Sequence, residues 1–81
     1  METRVAVISI IVENTASVEE INRLLHQYGS FIIGRMGIPY REKGINIISV
    51  ALDAPSDAIN ALTGALGRIA GVTAKAAYSK A

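Results

Sequence analysis

The chain has 81 residues, 51% of them hydrophobic and 19% charged, with a formal net charge of +1 and no cysteine. That length predicts a single domain over residues 1–81. The missing thiols exclude disulfides, thiolate metal sites and cysteine redox chemistry, which fits a cytoplasmic location. So small a charge offers no electrostatic case for nucleic acid or membrane lipid as a partner.

The first apolar run, VAVISIIV (Val5–Val12), is far shorter than the roughly 18 residues of a membrane helix. It is β-branched and ends in Glu13-Asn14 rather than a small-residue cleavage site, so it reads as a mature strand and not a signal core. Its lack of alternation predicts burial on both faces. Ser17-Val18-Glu19-Glu20 then has capping-box spacing. The helix behind it places Val18, Ile21, Leu24, Leu25 and Tyr28 on one stripe, and Gly29 is suited to end it.

SFIIGRMGI (Ser30–Ile38) and INIISVAL (Ile45–Leu52) are the next two strands, joined through Pro39 to Gly44. Pro55 suits a first helical turn, with Asp53 or Ala54 as its cap. Ile59, Leu62, Leu66 and Ile69 form a second stripe that Gly71 closes, and VTAKAAYS (Val72–Ser79) is the last strand. The order is β-α-β-β-α-β. With right-handed crossovers this is the α+β ferredoxin-like fold, a four-stranded antiparallel sheet with two helices on one face.

Two helices cover one side of such a sheet, so the parity of the strands decides what the other side exposes. A charged Arg35 is out of place beneath a helix, which assigns its face to the open side. By alternation Val5, Val7, Ser9, Ile11, Phe31, Ile33, Ile47 and Ser49 accompany it. A contiguous apolar face of this kind exceeds what a soluble monomer exposes. The expectation is a homodimer or homotetramer in which two sheets pack face to face.

Catalytic chemistry finds little to work with. The single histidine, His26, falls on the outer face of the first helix beside Asn22 and Arg23, whereas a metal site needs three or four ligands. Adjacent Glu19 and Glu20 diverge on the helix instead of pairing. No enzyme is expected, and no cofactor. Other users of the fold fail by their residues: GINIISVAL lacks the stacking aromatics of an RNA-binding sheet, and ENTA follows the first strand where a phosphate-binding loop would be glycine-rich.

Two features lie outside the core pattern. GRMGIPYREKG (Gly34–Gly44) holds three of the seven glycines and one of the two prolines. Gly34 is suited to close helix approach, Gly37 to a bulge and Gly44 to a positive φ. Tyr40, Arg41 and Lys43 are not explained by turning alone: the tip is either a plain corner or an interface element. In the second helix Gly64 stands opposite the apolar stripe near Arg68, where a glycine costs about 1 kcal/mol against alanine. Either a partner's backbone approaches there or the glycine has no role.

RVAVISIIVEN, and the stretch from Leu24 to Val72 with GRMGIPYREKG and ALTGALGR at its most specific points, resemble the TM1266-type family, named as regulators of the iron-only hydrogenase system. The family is similar to ACT domains and to the C-terminal regulatory domain of the nickel-responsive repressor, so the resemblance implies an ACT-like, oligomeric, regulatory protein. That repressor's DNA-binding segment and its histidine and cysteine nickel ligands have no counterpart here. Regulation would then act through a small-molecule effector or a protein partner. The alternative is an adaptor that grips a protein through Tyr40, Arg41 and Lys43 and the face around Gly64 and Arg68.

Overall fold

The computed structural model describes residues 2–80. Six main elements follow in chain order: β1 (Arg4–Val12), α1 (Val18–Gln27), β2 (Ile32–Tyr40), β3 (Ile45–Ala54), α2 (Ser56–Gly67) and β4 (Val72–Tyr78). The four strands form one antiparallel sheet in the order β2-β3-β1-β4. This is the ferredoxin-like βαββαβ arrangement that the pattern of strands and helices predicts.

The alternation along the central strands separates two environments. Ala6, Ile8, Ile10 and Val12 of β1 and Ile48, Val50, Leu52 and Ala54 of β3 are buried beneath the helices. They meet Ile21 and Leu25 of α1 and Ile59, Leu62 and Leu66 of α2, with Ile69 just beyond it. Val18, Leu24 and Tyr28 pack at the margin of the same core. Both helical stripes therefore face inward as their spacing requires, and each fully buried Leu or Ile contributes about 1.5–3 kcal/mol.

Several local devices differ from their expected form. Ser17 does not cap α1; it has helical dihedrals, and its hydroxyl donates to the carbonyl of Ala70 at 2.8 Å. The hydroxyl is directed across the fold and makes no bond to its own helix. Asn14 instead caps the 3-10 turn Thr15–Ser17 that leads into α1, its side-chain oxygen accepting from the Ala16 N–H at 3.1 Å. Gly29 lacks the left-handed φ of a helix-ending glycine and opens a 3-10 turn, Gly29–Phe31, that leads into β2. Pro55 is the N-cap of α2, not its first turn, because its ψ of 144° is extended.

Among the described residues two have positive φ, Gly44 and Gly71. Gly44, at φ 64°, ends the turn Arg41–Lys43 between β2 and β3. Gly71 lies between α2 and β4 against the β1–α1 connection, and its carbonyl accepts from the Glu13 N–H at 2.7 Å. That bond and the Ser17–Ala70 bond join the two crossovers at one end of the sheet.

Candidate functional site

The helices leave one face of the sheet bare, and the register lays that face out in rows. From β2 to β4 one row reads Ile38, Ile47, Ile11 and Thr73. The next reads Met36, Ser49, Ser9 and Lys75, and the third Gly34, Ala51, Val7 and Ala77. Val5 and Asp53 continue beyond them, and Tyr40 and Ile45 precede them. Polar residues are confined mainly to the β4 side and the two central serines. Apart from Asp53 at one end and the Tyr40 hydroxyl at the other, the β2, β3 and β1 positions are small or apolar.

Among the described residues eight large apolar side chains stand exposed: Val5, Val7, Ile11, Ile33, Met36, Ile38, Tyr40 and Ile47. All except Ile33 have register positions on the open face. The seven on that face, from 36% exposed at Val7 to 59% at Met36, together expose on the order of 600 Å². The largest patch on an ordinary monomer is roughly 300–600 Å², and one partner of a standard interface contributes about 800 Å².

The expected membership of this face needs correction at β2. The ladder slips between Ile32 and Gly34, where Ile33 is the extra residue of a β-bulge. A single inserted residue reverses the facing of everything that follows. Arg35 consequently lies opposite Val50, on the helix side, and its guanidinium donates to the side-chain oxygen of Asn22 in α1 at 2.8 Å. It is tolerated there because β2 is an edge strand beyond the cover of α1, so Arg35 remains exposed. Met36 and Ile38 take the open-face positions instead. Phe31 is displaced for a different reason: it precedes β2, in the 3-10 turn, and packs against the core.

The glycines of the stretch shift with the register. Gly34 faces the open side, with nothing within 4 Å of where a Cβ would be, so it serves no close helix approach. Gly37 pairs regularly with Ile48, and the bulge sits four residues earlier than expected. Val5, Val7, Ser9, Ile11, Ile47 and Ser49 stand where alternation places them. Missing Met36 and Ile38 traces to the bulge alone, and Ile33-Gly34 was the one local hint of it.

The remaining candidates do not converge. Tyr40 sits at the end of the bare face, its hydroxyl 3.4 Å from a Glu42 carboxylate oxygen, and Arg41 and Lys43 are exposed at the hairpin tip. Arg68 lines a separate cleft of about 340 Å³ between α1 and α2, together with Arg23 and Leu24 and with no residue of the 35–43 stretch. A Cβ on Gly64 would meet only the end of the Arg68 side chain, at 3.5 Å. Gly64→Ala should therefore raise stability by about 1 kcal/mol, the helix-propensity difference, in chemical denaturation of the isolated chain. A loss would reveal a backbone constraint at this site.

Among the described residues no three His, Cys, Asp or Glu side chains gather as a metal cluster, and no helix is long and apolar enough to cross a membrane. Fold and site together define a small ferredoxin-like α+β domain with one greasy, helix-free face. The chain belongs to the TM1266-like family, described as "Iron-only hydrogenase system regulator, putative", which it matches over residues 4–76. It is similar to the uncharacterized protein TM1266 from Thermotoga maritima, with a TM-score of 0.93 and 36% identity, over 98% of this chain and 100% of that one. It is also similar to a formyltetrahydrofolate deformylase from Pseudomonas putida KT2440, with a TM-score of 0.66 and 13% identity, over 90% of this chain but 28% of that one. This second likeness shows the fold alone. No protein of curated function matches the sequence.

Proposed function

We propose that this chain is a non-enzymatic regulatory domain of the iron-only hydrogenase system that works as a homo-oligomer in the cytoplasm. The family description supports the regulatory part. The observation that carries the assembly is the bare face itself: seven large apolar side chains on three adjacent strands, with no element among the described residues to cover them. Burying them against a second copy removes them from water at about 25 cal/mol per Å². Ser9 and Ser49, register partners at the centre, supply small polar groups able to bond across such an interface.

A domain of this kind would act by changing state when it binds an effector or a partner, since regulation requires a binding event that favours one state over another. In a host that carries an iron-only hydrogenase, loss of this chain should change the abundance or activity of the hydrogenase, and restoring the chain should reverse the change. Unchanged hydrogenase in the deletion strain would remove the regulatory reading and leave an adaptor without that role.

A further inference from the structure

The other side of the sheet carries a second feature that the bulge creates. Once the register slips, Arg35, Gly37 and Pro39 all face the helix layer, opposite Val50, Ile48 and Asn46. α1 does not extend over this edge, and a groove of about 240 Å³ is left between the helix and β2. Val18 and Ile48 give it apolar walls, Asn22 and Asn46 give neutral polar ones, and Gly37 contributes no side chain to fill it. A second hollow of about 320 Å³ shares Pro39 and Asn46 with the first and adds Tyr40 and Arg41.

Neither hollow is lined by an aspartate or glutamate, while each has an arginine. Arg35 spends one donor on Asn22 and meets no carboxylate among the described residues. A guanidinium has five N–H groups in a planar fork matched to an oxyanion. Held by Asn22 beside apolar walls, it is partly oriented before any ligand arrives. The groove is smaller than the roughly 300–1,000 Å³ of drug-sized sites, so it suits a ligand of few heavy atoms.

We propose that this groove binds a small carboxylate with a short apolar body. Arg35 grips the carboxylate, Asn22 orients Arg35, and Val18, Ile48 and Pro39 enclose the body. The inference rests on the regulatory reading, to which it supplies a class of effector. It is separable from the assembly, because Arg35, Gly37 and Pro39 face the helix side and Ile38 alone of the groove's lining belongs to the bare face.

Isovalerate is a suitable probe, with 3-methylbutan-1-ol as its uncharged counterpart and inorganic phosphate as an anion without an apolar body. Titrated into the full chain and followed by amide and side-chain NMR, isovalerate should shift Gly37, Asn22 and Asn46 saturably, and neither control should do so. Arg35→Gln should weaken binding about tenfold or more, the worth of charge-assisted hydrogen bonds. Gly37→Val should block the groove without lowering the melting temperature, since nothing lies within 4 Å of an added Cβ and the residue is on a strand. No saturable shift at these residues, equal shifts with the alcohol, binding of phosphate in place of isovalerate, or an unchanged affinity in Arg35→Gln would each overturn the proposal. Should Gly37→Val unfold, Arg35→Gln alone decides. Light scattering on the same samples reads the assembly separately, so that failure of one reading is not mistaken for failure of the other.

Discussion

Val7→Glu is expected to reduce the protein to a soluble monomer of 8.6 kDa, or to make it insoluble, where the parent chain runs as a larger species on light-scattering chromatography. Val7 lies on the central strand β1 between Ala51 and Ala77, both small, so no neighbour shields it on the bare face. In a single chain the position is 36% exposed, and a glutamate there can turn its carboxylate to water. Between two packed sheets it cannot. An enclosed, unpaired carboxylate costs several kcal/mol, and a symmetric interface would incur that cost in each copy. Lys75→Glu is the matched control: it adds the same carboxylate on the polar β4 side of the row and should leave the mass unchanged if the interface centres on β2, β3 and β1. A parent chain that is monomeric at every concentration would end the proposal of sheet-to-sheet assembly.

Gly71→Ala is expected to cost about 3 kcal/mol, which for a domain of this size lowers the melting temperature by roughly 12–24 °C. Two effects add. The φ of 72° is left-handed, a conformation that costs an L-residue roughly 1–2 kcal/mol. The new Cβ would also stand 2.7 Å from the Asn14 Cβ and 3.0 Å from its backbone nitrogen. Neither atom is the free end of a side chain. The β1–α1 connection would have to move, straining the Glu13–Gly71 and Ser17–Ala70 hydrogen bonds that tie it to the α2–β4 turn. Gly44→Ala separates the two effects: its φ is 64°, but nothing lies within 4 Å of the added methyl. Only the backbone cost of about 1–2 kcal/mol should remain there. Thermal unfolding of the two variants side by side measures the difference, and equal losses would show that the Asn14 contact is immaterial.

Mechanically, the fold separates its two candidate surfaces well. The bare face is formed by alternate residues of the central strands β1 and β3, whose other residues hold the core, and by Met36, Ile38 and Tyr40 of the edge strand β2. The groove occupies the margin where α1 stops short of the edge strand, and edge positions open more readily than central ones. A ligand at that edge would contact both α1, through Asn22, and β2, whose Met36 and Ile38 belong to the bare face. The same strand thus borders both surfaces.

Periodicity in the amino-acid sequence determined the order of elements and both helix stripes, because the apolar positions of the helices recur at helical spacing. β1 and β3 are apolar on both faces, so alternation sorted their residues into two faces without deciding which one the helices cover. The positive φ of Gly44 was legible from local chemistry, whereas Gly71, expected to close α2, lies four residues past its end at Gly67 and takes its positive φ in the turn to β4. Only the tertiary structure decided the facing of β2. One extra residue at Ile33 leaves no mark in composition, yet it sends Arg35 to the helix side and Met36 and Ile38 to the bare face. It also decided that Ser17 serves the Ala70 carbonyl and not its own helix, since a hydroxyl chooses between a local and a distant acceptor according to what the fold brings within reach.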